Sequence, residues 1–294
     1  MSFMYNPFPF DDPKPVNRPE LSEKTVSSVV SGGTPNVAKK FAAGIIEKAH
    51  GKNQVVAFDG YTTVDWTVFL NLLARECAAA GIEFESVDAN AECFKSGKEI
   101  DGMIDPLLIW DKKIDPTLLY GKIYKGGYEG MLDEERTQAF EKKVEEFGKG
   151  SGKVVAVFGY GVLIPRFRAL YDTKCFFDVT PKTSILRIRR GEYANIGKKR
   201  PDMINRVIRR CYYCDFEMAV CSRRELLRNN VPDFWFLSDD PQNIQMLPYE
   251  AFADICAQLV KYPFRAKPCY LEGVWGGSYM KKHRNLPEKM RNAA

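Results

Sequence analysis

The sequence predicts a three-layer α/β fold, in which a parallel sheet is covered by helices on both faces. Short apolar runs alternate along the chain with segments whose apolar residues recur at helical spacing. Continuously apolar runs of this kind are typical of strands buried on both faces, and helices between them are the crossovers of a parallel sheet. A chain of 294 residues, 45% of them hydrophobic, can build such a core.

The elements of the first third of the chain follow from local pattern. Residues 1–33 are rich in proline, serine and glycine and have no sustained period, which predicts an extended arm. A helix over residues 37–49 is predicted by apolar residues spaced four apart, namely Val37, Phe41, Ile45 and Ala49. Residues 54–59 predict the first buried strand. The helix that follows begins near Asp65 as its N-cap and is closed by Gly81.

The rest of the chain repeats the alternation. Residues 82–88 alternate like a half-buried strand, and residues 91–132 predict short helices and loops. Three more strands are predicted over residues 153–158, 175–180 and 234–238. Four more helices are predicted over residues 133–147, 182–190, 202–228 and 249–260. Because ligands of such sheets bind beyond the carboxyl ends of the strands, residues 60–67, Asp88 and residues 159–161 are expected at one edge.

Composition excludes several classes of protein. No apolar run approaches the roughly 20 residues of a membrane span, so no membrane partner is predicted. The start of the chain lacks the pattern of a secretion signal, which predicts a cytoplasmic protein with reduced thiols. Cys211 and Cys214 form one C-x-x-C among eight cysteines, but a zinc site needs four ligands and the chain has only two histidines. No zinc site is therefore predicted.

Charge is concentrated in one segment. Residues 185–228 hold twelve basic and five acidic residues, a net charge of +7 in a chain whose total is +5. Such concentration favours a phosphate-bearing partner, although a solvated helix face is the open alternative. No stacking-sheet motif or zinc module accompanies the basic residues, so nucleic acid is not predicted as the partner.

The most informative motif is the octet of residues 60–67, which stands between a predicted strand and a predicted helix. It has the register of the phosphate-binding loop G-x-x-x-x-G-K-S/T, but only Gly60 and Thr67 match. Asp65 replaces the second glycine and Trp66 replaces the lysine, and a carboxylate at that place repels a triphosphate. The alternative that remains open is a plain strand-to-helix turn capped by Asp65.

Over residues 50–240 the chain resembles the uridine kinase-like branch of the P-loop kinases. The resemblance implies a P-loop kinase-like fold with ATP and Mg²⁺ as ligands, and it places Asp88 where that family has the base that takes the proton of the substrate hydroxyl. Asp88 could equally cap the next helix. The chain departs from the family at Phe158, which replaces a glutamate at the end of the third-strand motif.

The family's basic lid is matched by the pattern from Asp178 to Arg187, and further arginines follow it. Guanidinium groups there would bind phosphate in a bidentate manner. Taken with the octet, this resemblance gives the candidate phosphate-binding residues Gly60, Tyr61, Thr62, Thr63, Thr67, Arg187, Arg190, Arg206, Arg209 and Arg210.

The C-terminal segment points to a second family. Residues 267–281 resemble the opening of a class I phosphomannose isomerase, with a W-G-G segment at Trp275, and the whole chain resembles the kinase-like module found ahead of some bacterial enzymes of that family. The resemblance implies a kinase-like domain over residues 34–264, a linker and isomerase start over residues 265–294, and a C-terminal isomerase domain as partner if the gene continues. The chain would then be a fragment, or a gene that keeps only the first module.

Together these observations predict a degenerate kinase-like domain that binds a phosphorylated sugar or nucleotide and serves a mannose-6-phosphate isomerase as a regulatory or scaffold module. One alternative is an active sugar or nucleoside kinase, in which Arg187, Arg190 or Lys95 replaces the missing lysine and Asp88 is the base. A purely structural module is the second alternative.

Overall fold

The computed structural model describes residues 21–117 and 120–261. These residues fall into two units. The first is an α/β unit over Val26–Phe252. The second unit contains, of the described residues, 21–25 and 253–261, and within it Thr25 Oγ1 donates a hydrogen bond of 2.7 Å to Asp254 Oδ2.

Helices and strands alternate through the described chain as the sequence predicts. The strands are β1 (Gln54–Gly60), β2 (Glu83–Asp88), β3 (Lys153–Phe158), β4 (Thr173–Asp178), β5 (Phe234–Leu237) and β6 (Gln245–Pro248). The helices are α1 (Glu23–Ser28), α2 (Thr34–Ala49), α3 (Thr67–Ala79), α4 (Ala89–Cys93), α5 (Gly97–Ile104), α6 (Glu134–Phe147), α7 (Pro181–Arg189), α8 (Ile204–Arg210), α9 (Phe216–Arg228) and α10 (Tyr249–Lys261). A π-helical turn, Cys211–Asp215, joins α8 to α9.

The six strands form one sheet in the order β2-β3-β1-β4-β5-β6. All neighbours are parallel except β6, which pairs antiparallel with β5. Every residue of β1 is buried, so both faces of the sheet are covered at its centre. The predicted α/β class with a mostly parallel sheet is confirmed. The sequence analysis missed β6, an edge strand of only four residues.

The core beside β1 is built from aromatic rings. The Phe41 ring of α2 lies 5.5 to 5.8 Å, between centroids, from four other phenylalanine rings: Phe58, Phe69, Phe234 and Phe236. Phe177 of β4 stacks on Phe236 of β5 at 4.3 Å. Edge-to-face and stacked pairs add to the free energy gained by burying the rings, so α2 and α3 are held firmly on this face.

Two predicted elements need correction. Within the predicted arm, residues 23–28 form α1, where Ser22 Oγ accepts from the Thr25 amide; a helix of six residues is too short to show a period. Residues 1–20 of the arm lie outside the described residues. The single helix predicted over 202–228 is divided by the π-helical turn, which rotates the side chain of Asp215 inward. No helix in the described part of the chain is long and apolar enough to cross a membrane.

One buried carboxylate ties two loops to the centre of the sheet. Asp59, next to last in β1, is buried, and its Oδ1 accepts from the amides of Gly60 at 2.7 Å and Gly161 at 3.0 Å. Its Oδ2 accepts from the Leu163 amide at 3.0 Å. Burial raises the pKa of Asp59 to about 6, although these three amides act in the opposite direction. Asp59 therefore fixes the segment after β3 against the end of β1.

We expect Asp59→Asn to lower the free energy of unfolding by about 2–4 kcal/mol. In the wild type both carboxylate oxygens accept hydrogen bonds from backbone amides, and in the variant one of them is replaced by an NH₂ group that cannot accept. Urea unfolding measures the change. Glu47→Gln, the same kind of substitution at an exposed position of α2, serves as the control and should stay within about 0.5 kcal/mol of the wild type. Equal stability of the two variants would contradict this role for Asp59.

The raised pKa also predicts a pH dependence. Between pH 4 and pH 6 the folded protein holds a proton on Asp59 that the unfolded chain has released, so this group's contribution to stability falls as pH rises through that window. The difference in unfolding free energy between wild type and Asp59→Asn should therefore be largest near pH 4 and smaller at pH 7. A difference that stays constant between pH 4 and pH 7 would show that the carboxylate is ionised throughout and would contradict the raised pKa.

Candidate functional site

The loop after β1 uses its amides within the protein. The Tyr61 amide donates to the Phe177 carbonyl at 2.9 Å, and the Thr63 amide donates to the Tyr160 hydroxyl at 3.2 Å. The amide of Val64 donates to the Tyr61 carbonyl at 3.1 Å. In a phosphate-binding loop such donors point at the anion. Here they hold the turn closed.

The side chains of the same loop are also engaged. Thr62 Oγ1 donates to the Asp215 carbonyl at 3.3 Å, and Thr63 Oγ1 lies 3.2 Å from Ser184 Oγ. Tyr61 is buried and stacks on Phe216, with the Arg223 guanidinium 4.5 Å from the centre of its ring. The loop is thus packed against α7, α9 and the π-helical turn, and it presents little free surface.

Gly60 and Thr67, the two matches to the motif, have structural roles. A Cβ at Gly60 would lie 2.7 Å from Val64 Cγ1 and 3.1 Å from the Phe177 carbonyl oxygen, so close packing alone requires glycine there. Thr67 begins α3, and its amide donates to Asp65 Oδ1 at 2.9 Å. The plain strand-to-helix turn is therefore the arrangement observed, and the expected anion cradle is not formed.

Arg187 is brought to this loop, but its guanidinium is occupied. The side chain is 5% exposed, and Nη1 donates to the Thr63 carbonyl at 2.7 Å. Nη2 donates to the carbonyls of Ser238 at 3.1 Å and Asp239 at 2.8 Å. Arg187 therefore joins the loop after β1 to the segment after β5.

The other predicted arginines do not converge on the loop. Arg190 lies nearby but pairs with Glu192 at 2.6 Å. Arg210 pairs with Asp101 at 2.7 Å and also donates to the Ile196 carbonyl. The remaining two, Arg206 and Arg209, stack on Trp110, away from the loop. The predicted arginines are therefore not gathered at one site: Arg190 shares a cleft with Arg187, whereas Arg209 and Arg210 are held by partners distant in sequence.

Asp88 ends β2 and caps α4. Its Oδ1 accepts from the amides of Asn90 at 2.9 Å and Ala91 at 3.1 Å. The Asn90 side chain in turn pairs with the backbone of Tyr160, accepting from its amide at 2.7 Å and donating to its carbonyl at 2.8 Å. The capping role that the sequence left open is thus observed, and it fixes the ends of β2 and β3 beside each other.

Two clefts lie at this edge of the sheet. The first, which we call the loop cleft, has a volume of about 570 Å³ and lies over the loop after β1. Its charged lining residues are Asp65, Arg187, Arg190, Glu192, Asp239 and Asp240. Four carboxylates against two guanidinium groups give a net charge of −2 among the described residues, which opposes binding of a triphosphate.

The second, which we call the basic cleft, has a volume of about 520 Å³ and is lined by Asp88 and Asn90. Its other charged lining residues are Lys95, Arg136, Lys198 and Lys199, which makes its net charge +3 among the described residues. The two clefts share Tyr160 and Ala194. Positive charge is therefore concentrated at the end of β2, not above the loop after β1.

The cations of the basic cleft are not all neutralised by carboxylates. Lys95 Nζ donates to the carbonyls of Gly130 at 2.9 Å and Leu132 at 2.6 Å. Arg136 likewise donates to the carbonyls of Phe94 and Ala91. Lys199 has no polar partner in the part of the chain that the structure describes. These contacts fix two positive charges at the cleft while leaving them available to an anion.

A second buried carboxylate lies behind the two clefts. Asp215 Oδ2 accepts from the Tyr193 hydroxyl at 2.9 Å and from the Asn195 side-chain amide at 2.7 Å. Burial raises its pKa, and the bond from Asn195 acts in the opposite direction. Because residues 193–195 line the clefts, this network positions their wall.

Sequence reasoning missed Asp59, Arg136 and Asp215. Asp59 could have been noticed as a charged residue inside an apolar strand, whereas Arg136 lies in a helix of mixed charge that carries no signal. Among the described residues there is no group of three or more His, Cys, Asp or Glu that could hold a metal ion. The residues of the loop cleft do not fit the triphosphate of ATP in this conformation, since the amides of Tyr61, Thr63 and Val64 have acceptors within the protein and the lining is acidic.

The fold defines an α/β domain with a mostly parallel six-stranded sheet. A family model described as a domain of unknown function, DUF8485, matches residues 34–261, and the chain belongs to this family. No curated protein sequence gives a significant match.

Three of the solved structures similar to this chain are named as kinases. A candidate fructose transport system kinase from Silicibacter sp. TM1040 is 15% identical with a TM-score of 0.43, and the match covers 64% of this chain and 94% of that protein. A candidate uridine kinase from Bacillus stearothermophilus is 11% identical with a TM-score of 0.40, and the match covers 67% of this chain and 96% of that protein. Shikimate kinase from Bacteroides thetaiotaomicron is 14% identical with a TM-score of 0.28, and the match covers 60% of this chain and 98% of that protein.

We expect Arg187→Ala to destabilise the protein by about 3 kcal/mol, because three buried carbonyls lose their donor. Thermal or urea unfolding checks this. The matched control is Arg189→Ala, an exposed arginine two residues away that should change stability by less than about 0.5 kcal/mol. If Arg187→Ala leaves the stability unchanged but abolishes phosphate binding, the structural role is contradicted and Arg187 is a ligand-binding residue.

Proposed function

We propose that this domain binds a phosphorylated small molecule in the basic cleft and does not transfer phosphate from ATP. The observation that carries the proposal is the contrast in charge between the two clefts, −2 over the loop after β1 and +3 at the end of β2. A phosphate group carries up to two negative charges at neutral pH, so the basic cleft favours it and the loop cleft disfavours it.

The position of Asp88 gives the site its second feature. Asp88 lines the basic cleft, and its observed hydrogen bonds from Asn90 and Ala91 both use Oδ1. A carboxylate beside a group of cations accepts hydrogen bonds from hydroxyls while the cations hold the phosphate. This combination favours a ligand with hydroxyl groups near its phosphate, such as a sugar phosphate or a nucleotide.

The regulatory role belongs to the same proposal. A domain that binds a phosphorylated metabolite without chemistry can report its concentration to an attached or partner enzyme. The link to a mannose-6-phosphate isomerase depends on residues 265–294, which lie outside the described residues, and it stays a prediction.

A second candidate, an active small-molecule kinase, has one observation in its favour. The loop cleft and the basic cleft share Tyr160 and Ala194, so a donor in one would adjoin an acceptor in the other, with Asp88 beside the acceptor. This candidate requires the loop after β1 to open and release its amides. Phosphate transfer from ATP–Mg²⁺ that Asp88→Asn abolishes would establish it.

The test is calorimetric titration at low salt with ribose 5-phosphate, mannose 6-phosphate, fructose 6-phosphate and ATP–Mg²⁺. We expect binding of one or more sugar phosphates, no binding of ATP–Mg²⁺ in the loop cleft and no turnover. Lys199→Glu should weaken the sugar phosphate about 10-fold or more, because it replaces an attractive charge by a repulsive one. Weak screening at low salt makes the effect easiest to measure.

The matched control is Lys182→Glu, which makes the same change of charge at an exposed position of α7 outside both clefts. It should leave the affinity within about two-fold of the wild type, because Lys182 lines neither cleft. If the two variants weaken sugar phosphate binding equally, the effect is one of overall charge, which would contradict a binding site in the basic cleft. No binding of any sugar phosphate at millimolar concentration would contradict the proposed function.

A further inference from the structure

An aromatic-walled cleft lies beside α8. It has a volume of about 580 Å³, and we call it the aromatic cleft; the lining residues used below are Trp110, Tyr120, Arg206, Arg209 and Tyr212. Its aromatic side chains are unusually open to solvent, with Trp110 38%, Tyr120 64% and Tyr212 66% exposed. Exposed aromatic residues gathered around one concave site are typical of a binding surface.

The walls of this cleft already stack planar cations. The guanidinium of Arg209 lies 4.8 Å from the centre of the Trp110 ring, and that of Arg206 lies 5.5 Å from it. The outer Tyr212 ring meets Tyr213 edge to face at 5.0 Å between centroids. An aromatic ring bound here would find both ring faces and guanidinium planes to stack on.

Arg209 is held firmly in the wall of the cleft. The side chain is 6% exposed, and its Nη2 donates to the carbonyls of Ile109 and Tyr120. Nη2 also lies 3.8 Å from Oδ2 of the buried Asp115 carboxylate. These contacts fix the guanidinium plane of Arg209 beside the Trp110 ring, where it forms part of an aromatic and cationic wall.

A third cleft lies beside both the aromatic cleft and the basic cleft. This connecting cleft, of about 400 Å³, shares Trp110 and Arg206 with the aromatic cleft, and it shares Asn195 and Lys198 with the basic cleft. Its charged lining residues are Asp105, Lys112, Lys198, Asp202, Arg206 and Arg210, with a net charge of +2 among the described residues. The lining that the two sites have in common with it is therefore positively charged.

We propose that the ligand carries a planar aromatic ring as well as a phosphate, with the ring stacked in the aromatic cleft and the phosphate held in the basic cleft. This inference rests on the proposed function and narrows it, because a sugar phosphate has no ring that can stack. The chemistry is that of a nucleoside phosphate, whose base can stack on the exposed rings while its phosphate meets the cations. A free mononucleotide and a short single strand share this chemistry.

The test compares the affinities of ribose 5-phosphate, adenosine, AMP, UMP and an eight-residue oligoadenylate for the full chain, by calorimetry at one fixed salt concentration. We expect AMP or UMP to bind about 10-fold or more tightly than ribose 5-phosphate, since one stacked base contributes that much or more. Adenosine should bind more weakly than AMP. If the oligoadenylate binds far more tightly than AMP, the natural ligand is a single-stranded nucleic acid, which the sequence analysis did not predict. If the two bind with comparable affinity, the natural ligand is a free mononucleotide.

Variants at an exposed ring make the test specific. Tyr212→Ala should weaken AMP or UMP binding about 10-fold while leaving ribose 5-phosphate unchanged, and Tyr212→Phe, which keeps the ring, should behave as wild type. Failure of this inference is distinct from failure of the proposed function. If ribose 5-phosphate and AMP bind equally and Tyr212→Ala changes neither, the ring site is wrong and the phosphate site stands. If no phosphorylated probe binds, both are wrong.

Discussion

The carboxylate of Asp59 is the interaction on which the functional edge of this domain depends. Its two oxygens accept from the amides of Gly60, Gly161 and Leu163, and so join the end of the central strand to the segment after β3. Tyr160 lies inside that segment, and its hydroxyl accepts from the Thr63 amide. The closed state of the loop after β1 therefore follows from the buried carboxylate through a short series of hydrogen bonds.

Because of this constraint, the loop after β1 does not act as a phosphate-binding loop in the observed conformation. A loop that binds phosphate needs free amides and a neutralising lysine. Here the amides of Tyr61, Thr63 and Val64 have partners, Asp65 lines the cleft, and Arg187 donates to three carbonyls. Positive charge is found instead at the end of β2, where Lys95 and Arg136 donate to backbone carbonyls.

The sequence was a good guide to the elements and a poor one to the site. Strands and helices follow from local periods, so β1 and α2 were predicted close to their observed bounds. The partners of Arg209 and Arg210 are not local: Arg209 meets residues 100 and 89 positions away, and Arg210 meets Asp101, 109 positions away. Gly60 matched a phosphate-loop pattern for another reason, the close approach of Val64 and Phe177. A π-helix of one turn does not change the spacing of apolar residues in a way that can be recognised in the sequence. The burial of Asp215 could therefore not be predicted.

Amide hydrogen exchange at residues 60–64, measured with and without ATP–Mg²⁺, tests the closed loop most directly. The account predicts slow exchange at Tyr61, Thr63 and Val64 in the free protein, because these amides have acceptors within the fold, and no change when ATP–Mg²⁺ is added. Fast exchange in the free protein that becomes slow on addition of ATP–Mg²⁺ would show an open loop that binds the nucleotide, and would contradict it.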